Sequence, residues 1–322
     1  MRKAHHYVAQ SIQARFCDSD GLICVYDKDT QGVNRQHPKR TAVINDLYTI
    51  PTEEEEKSDI LECKVFDPVD GEIVALIDRW IQPSYRFSES EIPQMASYIA
   101  LQHARVPRTL KMADELGTAL AVKTMRDFST DKQAMDQAYA EAVTRMDGDK
   151  SLSREEFQDY FANLEKHFIF NIKREVTLGM SMSLTPIFFD AVMRMKWCIV
   201  DAPRDNCFIT CDAPIVSIAT GGPGVVQFGA NLASPGFEIV FPLSPTVCVW
   251  IRKVNGQKRI KCSSARVAEF NYRTAYMAER YIFAQQDTAR IRALLLQTAK
   301  TRQQPKIDRE ALNERIDAQN RC

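Results

Sequence analysis

The chain is short of histidine, with five in 322 residues, and of glycine, with twelve. It carries no excess of either charge: 42 lysines and arginines stand against 42 aspartates and glutamates. A balanced chain has no overall field to draw it onto DNA, RNA or an acidic membrane, and only a local basic groove remains open to it. No window reads as the roughly 18 apolar residues of a bilayer span. The start "MRKAHHYVAQ" lacks the apolar run of a secretory signal. The expectation is a cytoplasmic chain with no membrane partner. The nine cysteines form no CxxC pair. Those in "LICVYD" and "TVCVWI" sit in apolar runs, where a thiol behaves as a small buried hydrophobe, so reduced cysteines are expected. HExxH, GxSxG and the zinc-deaminase spacing are also absent, which removes the hydrolases that a motif would reveal.

What is present is a globular composition, 45% hydrophobic and 9% aromatic, in a chain long enough to build a core without metal or disulfide staples. "AQSIQARF" makes about two helical turns with Ile12 and Phe16 on one face, and "DSDG" breaks it. Leu22 to Thr41 reads as a β-hairpin whose return is an edge strand, or is interrupted, at Pro38. "TEEEEKS" reads as the exposed start of the next helix. "VDGEIVALIDRWI" places Ile73, Leu76, Ile77 and Trp80 at helical spacing. "SESE" is a capping box, Ser88 with Glu91, opening a helix with Ile92, Met95, Ala96 and Ile99 on one stripe. That helix runs through "LQHAR" to Pro107, which holds Val106 extended.

Residues 109 to about 196 keep a helical pattern. From residue 197, "WCIVDA", "CFITCD", "IVSIAT", "FEIVFPLS" and "TVCVWIRK" read as a meandering antiparallel sheet. "SARVAEFNYRTAYMAERYIF" and "DTARIRALLLQTAK" read as closing helices. The fold class is α+β: an N-terminal β-hairpin region, a helical middle, an antiparallel β-meander and C-terminal helices. The expected organisation is one domain over 1–304, with a helical subdomain at about 88–196, and a charged tail over 305–322.

Three stretches mimic ligand sites. "RMDGDKSLSREEF" resembles a calcium loop but puts Arg145 at the first ligand position and Lys150 where the turn wants glycine, so Ser153 and Glu156 read as a helix cap. "GGPGVVQFG" has no Lys-Ser or Lys-Thr pair behind it and reads as a loop between strands. Cys207 and Cys211 share an extended segment without partners for zinc.

Polarity collects where packing does not ask for it. Gln102 lies beside the buried stripe and Arg105 one turn on, so both can point into a cleft; the structural alternative has Arg105 and His103 complementing the helix dipole. "CFITCDAPIVSI" delivers Thr210 and Asp212 on one strand face, Asp212 at the strand end as a base, metal ligand or imidazole orienter, or simply as a turn cap before proline.

With "HHYVAQSIQARF", "VYDKDTQGVNRQHPKRTAVINDLYT", "VDGEIVALIDRW", "LQHARVPRT", "FITCDAPI" and "EFNYRTAYMAERYIF" in this order, the chain resembles a widespread bacterial family known as a domain of unknown function. The resemblance implies functional polar positions at His6, Gln10, Gln102, Arg105, Thr210, Asp212 and Asn271, with Asp70 where relatives have glutamate. Ala9 departs from the family's proline. On this reading His6 is the family histidine and His5 an exposed neighbour.

A histidine, a carboxylate, an arginine and amides suit acid–base chemistry on an anionic substrate. His6, Arg105 and Asp212 are the expected catalytic residues; Gln10, Gln102, Thr210 and Asn271 the substrate-binding ones. The expected activity is hydrolysis of a phosphate-containing substrate, as a phosphodiesterase or nuclease, with a divalent metal left open and nucleic acid or nucleotide as partner. Some members of that family sit among mobile-element genes, which suggests phage conflict. The alternative is a non-catalytic ligand sensor or protein-binding module, with a protein partner or second copy on the helical middle.

Overall fold

The structure is a computed structural model that describes residues 4–51, 57–145, 152–167, 171–222, 225–228, 232–234, 236–254 and 258–300. The described residues form two units, one of residues 4–110 and 181–300 and one of residues 111–180.

The larger unit opens with β1 (Ala4–His6), α1 (Gln10–Ala14), β2 (Ile23–Asp27), β3 (Val33–Gln36), β4 (Val43–Asn45), β5 (Ile50–Pro51) and β6 (Lys57–Ser58). The break after α1 is a turn in which Asp18 Oδ1 accepts from the N–H groups of Asp20 and Leu22. Gly21 completes it at φ +74°, a conformation that favours glycine. Lys57–Ser58 pairs with Ile50–Pro51 as a strand rather than starting a helix; residues 52–56 of the acidic stretch lie outside the described residues. Strand β3 ends before Pro38, which starts a short 3₁₀ turn capped by His37 Nδ1.

A π-helical turn at Glu62–Phe66 leads into α2 (Asp67–Trp80), and α3 (Ile92–Arg105) follows. Both carry the expected apolar stripes, buried at Ile73, Leu76, Ile77 and Trp80 and at Ile92, Met95, Ala96 and Ile99. Glu91 Oε2 accepts from Ser88 N at 3.0 Å, closing the helix entry as the sequence pattern requires. Val106 is extended, with ψ 148°, and ends α3 before Pro107.

The chain continues through α4 (Pro107–Thr130), α5 (Lys132–Arg145), α6 (Arg154–Ala162), α7 (Leu164–His167), α8 (Arg174–Ser183) and α9 (Thr185–Met193). In the smaller unit, Phe157 and Phe161 pack on Tyr139 and Phe128, with Ser153 and Glu156 as a capping box. Residues 146–151 of the calcium-like stretch lie outside the described residues. One run, Arg174–Met193, does reach the length and apolarity of a membrane span, with a mean hydropathy of 1.4, contrary to the reading of the sequence. It is two helices parted at Leu184, and α9 packs on α3.

The remaining elements are β7 (Lys196–Asp201), β8 (Thr210–Cys211), β9 (Val216–Gly222), β10 (Val225–Phe228), β11 (Phe237–Pro242), β12 (Val247–Arg252), β13 (Lys258–Lys261), α10 (Ser264–Met277), β14 (Tyr281–Ala284) and α11 (Ala289–Thr298). Two sheets organise them. Six strands run in the order β10-β9-β11-β12-β7-β13, antiparallel except for β13 beside β7. Alternate residues face opposite ways: Cys198, Val240 and Trp250 meet Phe270 of α10, while Trp197 stands edge-on to Trp80 and Phe241 stacks on Tyr98. Each such fully buried large side chain stabilises the fold by roughly 1.5–3 kcal/mol.

The second sheet, β3-β2-β14-β8, is the correction to the expected meander. "CFITC" leaves its neighbours in sequence to join the N-terminal hairpin, and "YIFA" is not the end of a helix but the strand between them. One face of this sheet, with Cys24, Tyr26, Cys211, Ile282 and Ala284, packs on α10 and α11 through Ala275, Ile291 and Leu295. The other face is open to a cavity. The arrangement is α+β.

Candidate ligand-binding site

The expected site residues fall into two groups and one pair, His6 with Gln10. The first is a buried hydrogen-bond network around Arg105, which is 1% exposed. Its Nη1 and Nη2 donate to the two oxygens of Asp70 at 2.9 and 2.8 Å, a bidentate pair. Its Nε and Nη2 donate to Gln102 Oε1, which also accepts from the Tyr98 hydroxyl. Gln102 Nε2 donates to Tyr7 O at 2.7 Å, and the Tyr48 hydroxyl donates to Arg105 O at 2.7 Å. The Phe66 ring lies 5.3 Å from the guanidinium carbon. Thus "HYVAQ" and "LQHAR" do converge, but through the Tyr7 backbone, and Arg105 is already neutralised by Asp70. Its guanidinium is thus taken up by Asp70 and Gln102.

The histidines differ from expectation in their burial. His5 is fully buried, accepts from Tyr48 N at its Nδ1 and stacks on the Tyr48 ring with centroids 5.5 Å apart. His6 is half-buried, its Nε2 2.8 Å from Gln10 Nε2. The alternation of a strand decides this: β1 pairs with β4 and sends adjacent side chains to opposite faces.

The second group surrounds Asp212, which is 5% exposed. Its Oδ1 accepts from Glu279 N, and its Oδ2 from Arg280 N and Tyr281 N, at 2.7–2.8 Å. Burial pushes its carboxyl up to about 6, against the pull of those three N–H groups. Thr210 is fully buried, and its hydroxyl has no partner among the described residues. Asn271 braces the strand below: its Oδ1 accepts from Ile209 N and its Nδ2 donates to Cys207 O. Among the described residues no three His, Cys, Asp or Glu side chains converge as a metal would require. With both Asp212 oxygens engaged by backbone, no metal centre is assigned there.

The third feature is a cavity of about 520 Å³ on the open sheet face. The register places Asn34, Val25 and Phe283 in one row and Asp27 with Tyr281 in the next, all on that face. Gln36 and Thr30 extend the wall, and Tyr7 with Arg40, Thr41, Ala42 and Val43 closes it from above. Ala42 sits at φ +52°, a left-handed conformation costly for any residue with a Cβ.

Tyr7 was not among the expected site residues. It is 4% exposed and lines the cavity. Burial, then the nearby Asp212, hold its phenol well above the usual tyrosine value, so it stays a proton donor. Arg40 lines the same cavity and Lys39 adjoins it in sequence; both are exposed and neither has an ion-pair partner among the described residues. Asp27, by contrast, is paired with Arg280. The signal in the sequence was the basic "HPKR" at the end of the hairpin.

The family model for a protein of unknown function, DUF4238, matches residues 4–288, and the chain belongs to that family. No curated protein and no solved structure matches the chain.

Proposed function

We propose that this family member binds a small phosphate-containing ligand of nucleotide class in the cavity between the four-stranded sheet and the Tyr7 and 40–43 segments. The observation that carries the reading is the near-complete burial of Tyr7, 4% exposed, against a cavity that the exposed Arg40 also lines. The volume of about 520 Å³ suits a mononucleotide, within the roughly 300–1,000 Å³ of small-molecule sites. Arg40 and Lys39 would meet the phosphate, the Tyr7 phenol would donate to it, and Asn34 would offer an amide to the base or sugar. No disulfide joins the eight cysteines among the described residues, which supports a reducing, cytoplasmic setting.

This is the non-catalytic alternative of the sequence reading, with the site moved off Arg105 and Asp212. Hydrolysis of the bound ligand is a second reading. It is supported by Asp212, whose carboxyl burial pushes up to about 6 and which lies near Tyr7, so that a proton could pass towards the cavity edge.

Calorimetric titration with phosphate, pyrophosphate, AMP, ATP and a short RNA tests the reading. Saturable binding of at least one of these is expected, weakened about tenfold or more by Tyr7→Phe, the loss of one charge-assisted hydrogen bond. The absence of any binding, or equal affinity in Tyr7→Phe and Arg40→Ala, overturns it. The same mixtures, assayed for product with and without divalent metal, decide between binding and hydrolysis.

A further inference from the structure

Asp212 does not line the cavity, yet it ties down the strand end that does. The chain leaves α10 at Met277 and enters β14 at Tyr281, so residues 278–280 form the joint between them. A joint of this kind exposes orphan groups on both sides: carbonyls from the last helical turn and N–H groups not yet taken by the sheet. The carbonyls are met by two cations. Lys28 Nζ donates to Ala278 O at 2.8 Å and Arg108 Nη1 to Met277 O at 3.0 Å. The N–H groups of Glu279, Arg280 and Tyr281 all donate to the Asp212 carboxylate, and Asp212 N donates back to Tyr281 O at 3.0 Å.

One residue of this joint and the first residue of β14 belong to the cavity wall or brace it. Tyr281 lines the cavity, while Arg280 makes a bidentate pair with Asp27, another lining residue, and lies 4.8 Å over the Tyr281 ring. Movement of the joint would therefore move Tyr281 and open the Asp27 pair. We infer that Asp212 is a positioning residue, whose carboxylate fixes Glu279, Arg280 and Tyr281 so that the cavity wall keeps its shape. A carboxylate is suited to this because its two oxygens offer about four acceptor sites, whereas an amide has one oxygen and turns an NH₂ towards a donor. The groups facing the carboxylate from the other packed segments are Tyr7 and Arg108, with Cys211 and Glu279 beside it in the chain or joint.

The role in ligand binding rests on the proposed cavity function; the clamp itself does not. Amide hydrogen exchange at Glu279, Arg280 and Tyr281 is measured in the unmodified chain, in Asp212→Asn and in Asp212→Ala, alongside pyrophosphate titration. Exchange at these three amides should quicken in that order, tenfold or more in Asp212→Ala for loss of their acceptors. Pyrophosphate affinity should fall in the same order, with Asp212→Asn partly rescued. Unchanged exchange in Asp212→Ala overturns the clamp. Quickened exchange with undiminished pyrophosphate binding overturns its effect on the site. Protected amides with binding abolished in Asp212→Asn also overturn the inference, because the charge would then act on the ligand directly. If the unmodified chain binds no pyrophosphate, that ligand class fails while the exchange data still decide the clamp.

Discussion

Removing Asp70 should unfold the larger unit far more readily than removing a surface carboxylate, because it strands a buried charge. Arg105 is 1% exposed and gives two of its hydrogen bonds to Asp70. In Asp70→Ala only Gln102 Oε1, already shared with Tyr98, remains as an acceptor among the described residues. Loss of one partner of a buried pair costs about 3–5 kcal/mol. The Asp70 side chain is 23% exposed, so water can enter the gap, and the lower end, about 3 kcal/mol, is expected. All three tryptophans, Trp80, Trp197 and Trp250, lie in the larger unit, so their fluorescence reads its unfolding. With a urea slope of about 2.5 kcal/mol/M the midpoint should fall by about 1 M. Asp70→Glu should stay within about 1 kcal/mol of the unmodified chain, since the carboxylate can still pair. Asp70→Ala with Arg105→Met should be more stable than Asp70→Ala alone, because no charge is left unpaired. A midpoint shift below about 0.3 M in Asp70→Ala, or a double variant no better than the single, would refute the structural reading of Arg105.

Asn271→Ala leaves Ile209 N and Cys207 O without their partner, and about 2–3 kcal/mol should be lost, measured by the same urea transition. Ala42→Gly relieves the left-handed strain at φ +52° and should stabilise by up to about 1 kcal/mol, read as a higher midpoint. His103 is partly exposed and stacked on Phe188, with its imidazole pushed down to about 4 by burial and then by Arg108. The unfolded chain therefore takes up this proton first, and its contribution to stability falls as pH drops from about 6.5 to 4. Asp212 works the other way: its raised value makes stability fall as pH rises from 3.8 to about 6. His103→Gln should therefore expose the Asp212 slope, a declining urea midpoint across that window, whereas the unmodified chain should be flatter. Identical profiles would rule the account out.

Local rules carried a good part of this fold. The burial of Ile73, Leu76, Ile77 and Trp80, the Glu91 contact to Ser88 and the extended Val106 each depend on residues within a few positions, and the sequence alone determined them. The α+β class followed from the same short-range patterns. What only the tertiary structure decided are the pairings between distant segments. "CFITC" reads as a strand whichever sheet takes it, and only closure of the chain puts it beside "YIFA" and the N-terminal hairpin. "YIFA" itself continues a helical pattern until Asp212 captures the three N–H groups that precede or open the strand. His5 and His6 differ only in which face of β1 they occupy, and that is fixed by pairing with β4 some 40 residues on. Arg105 looks like an anion-binding side chain until Asp70, on another helix, neutralises it. Helical periodicity and caps are nearest-neighbour physics and can be read along the chain; strand partners, charge pairs and cavities depend on which surfaces meet in space.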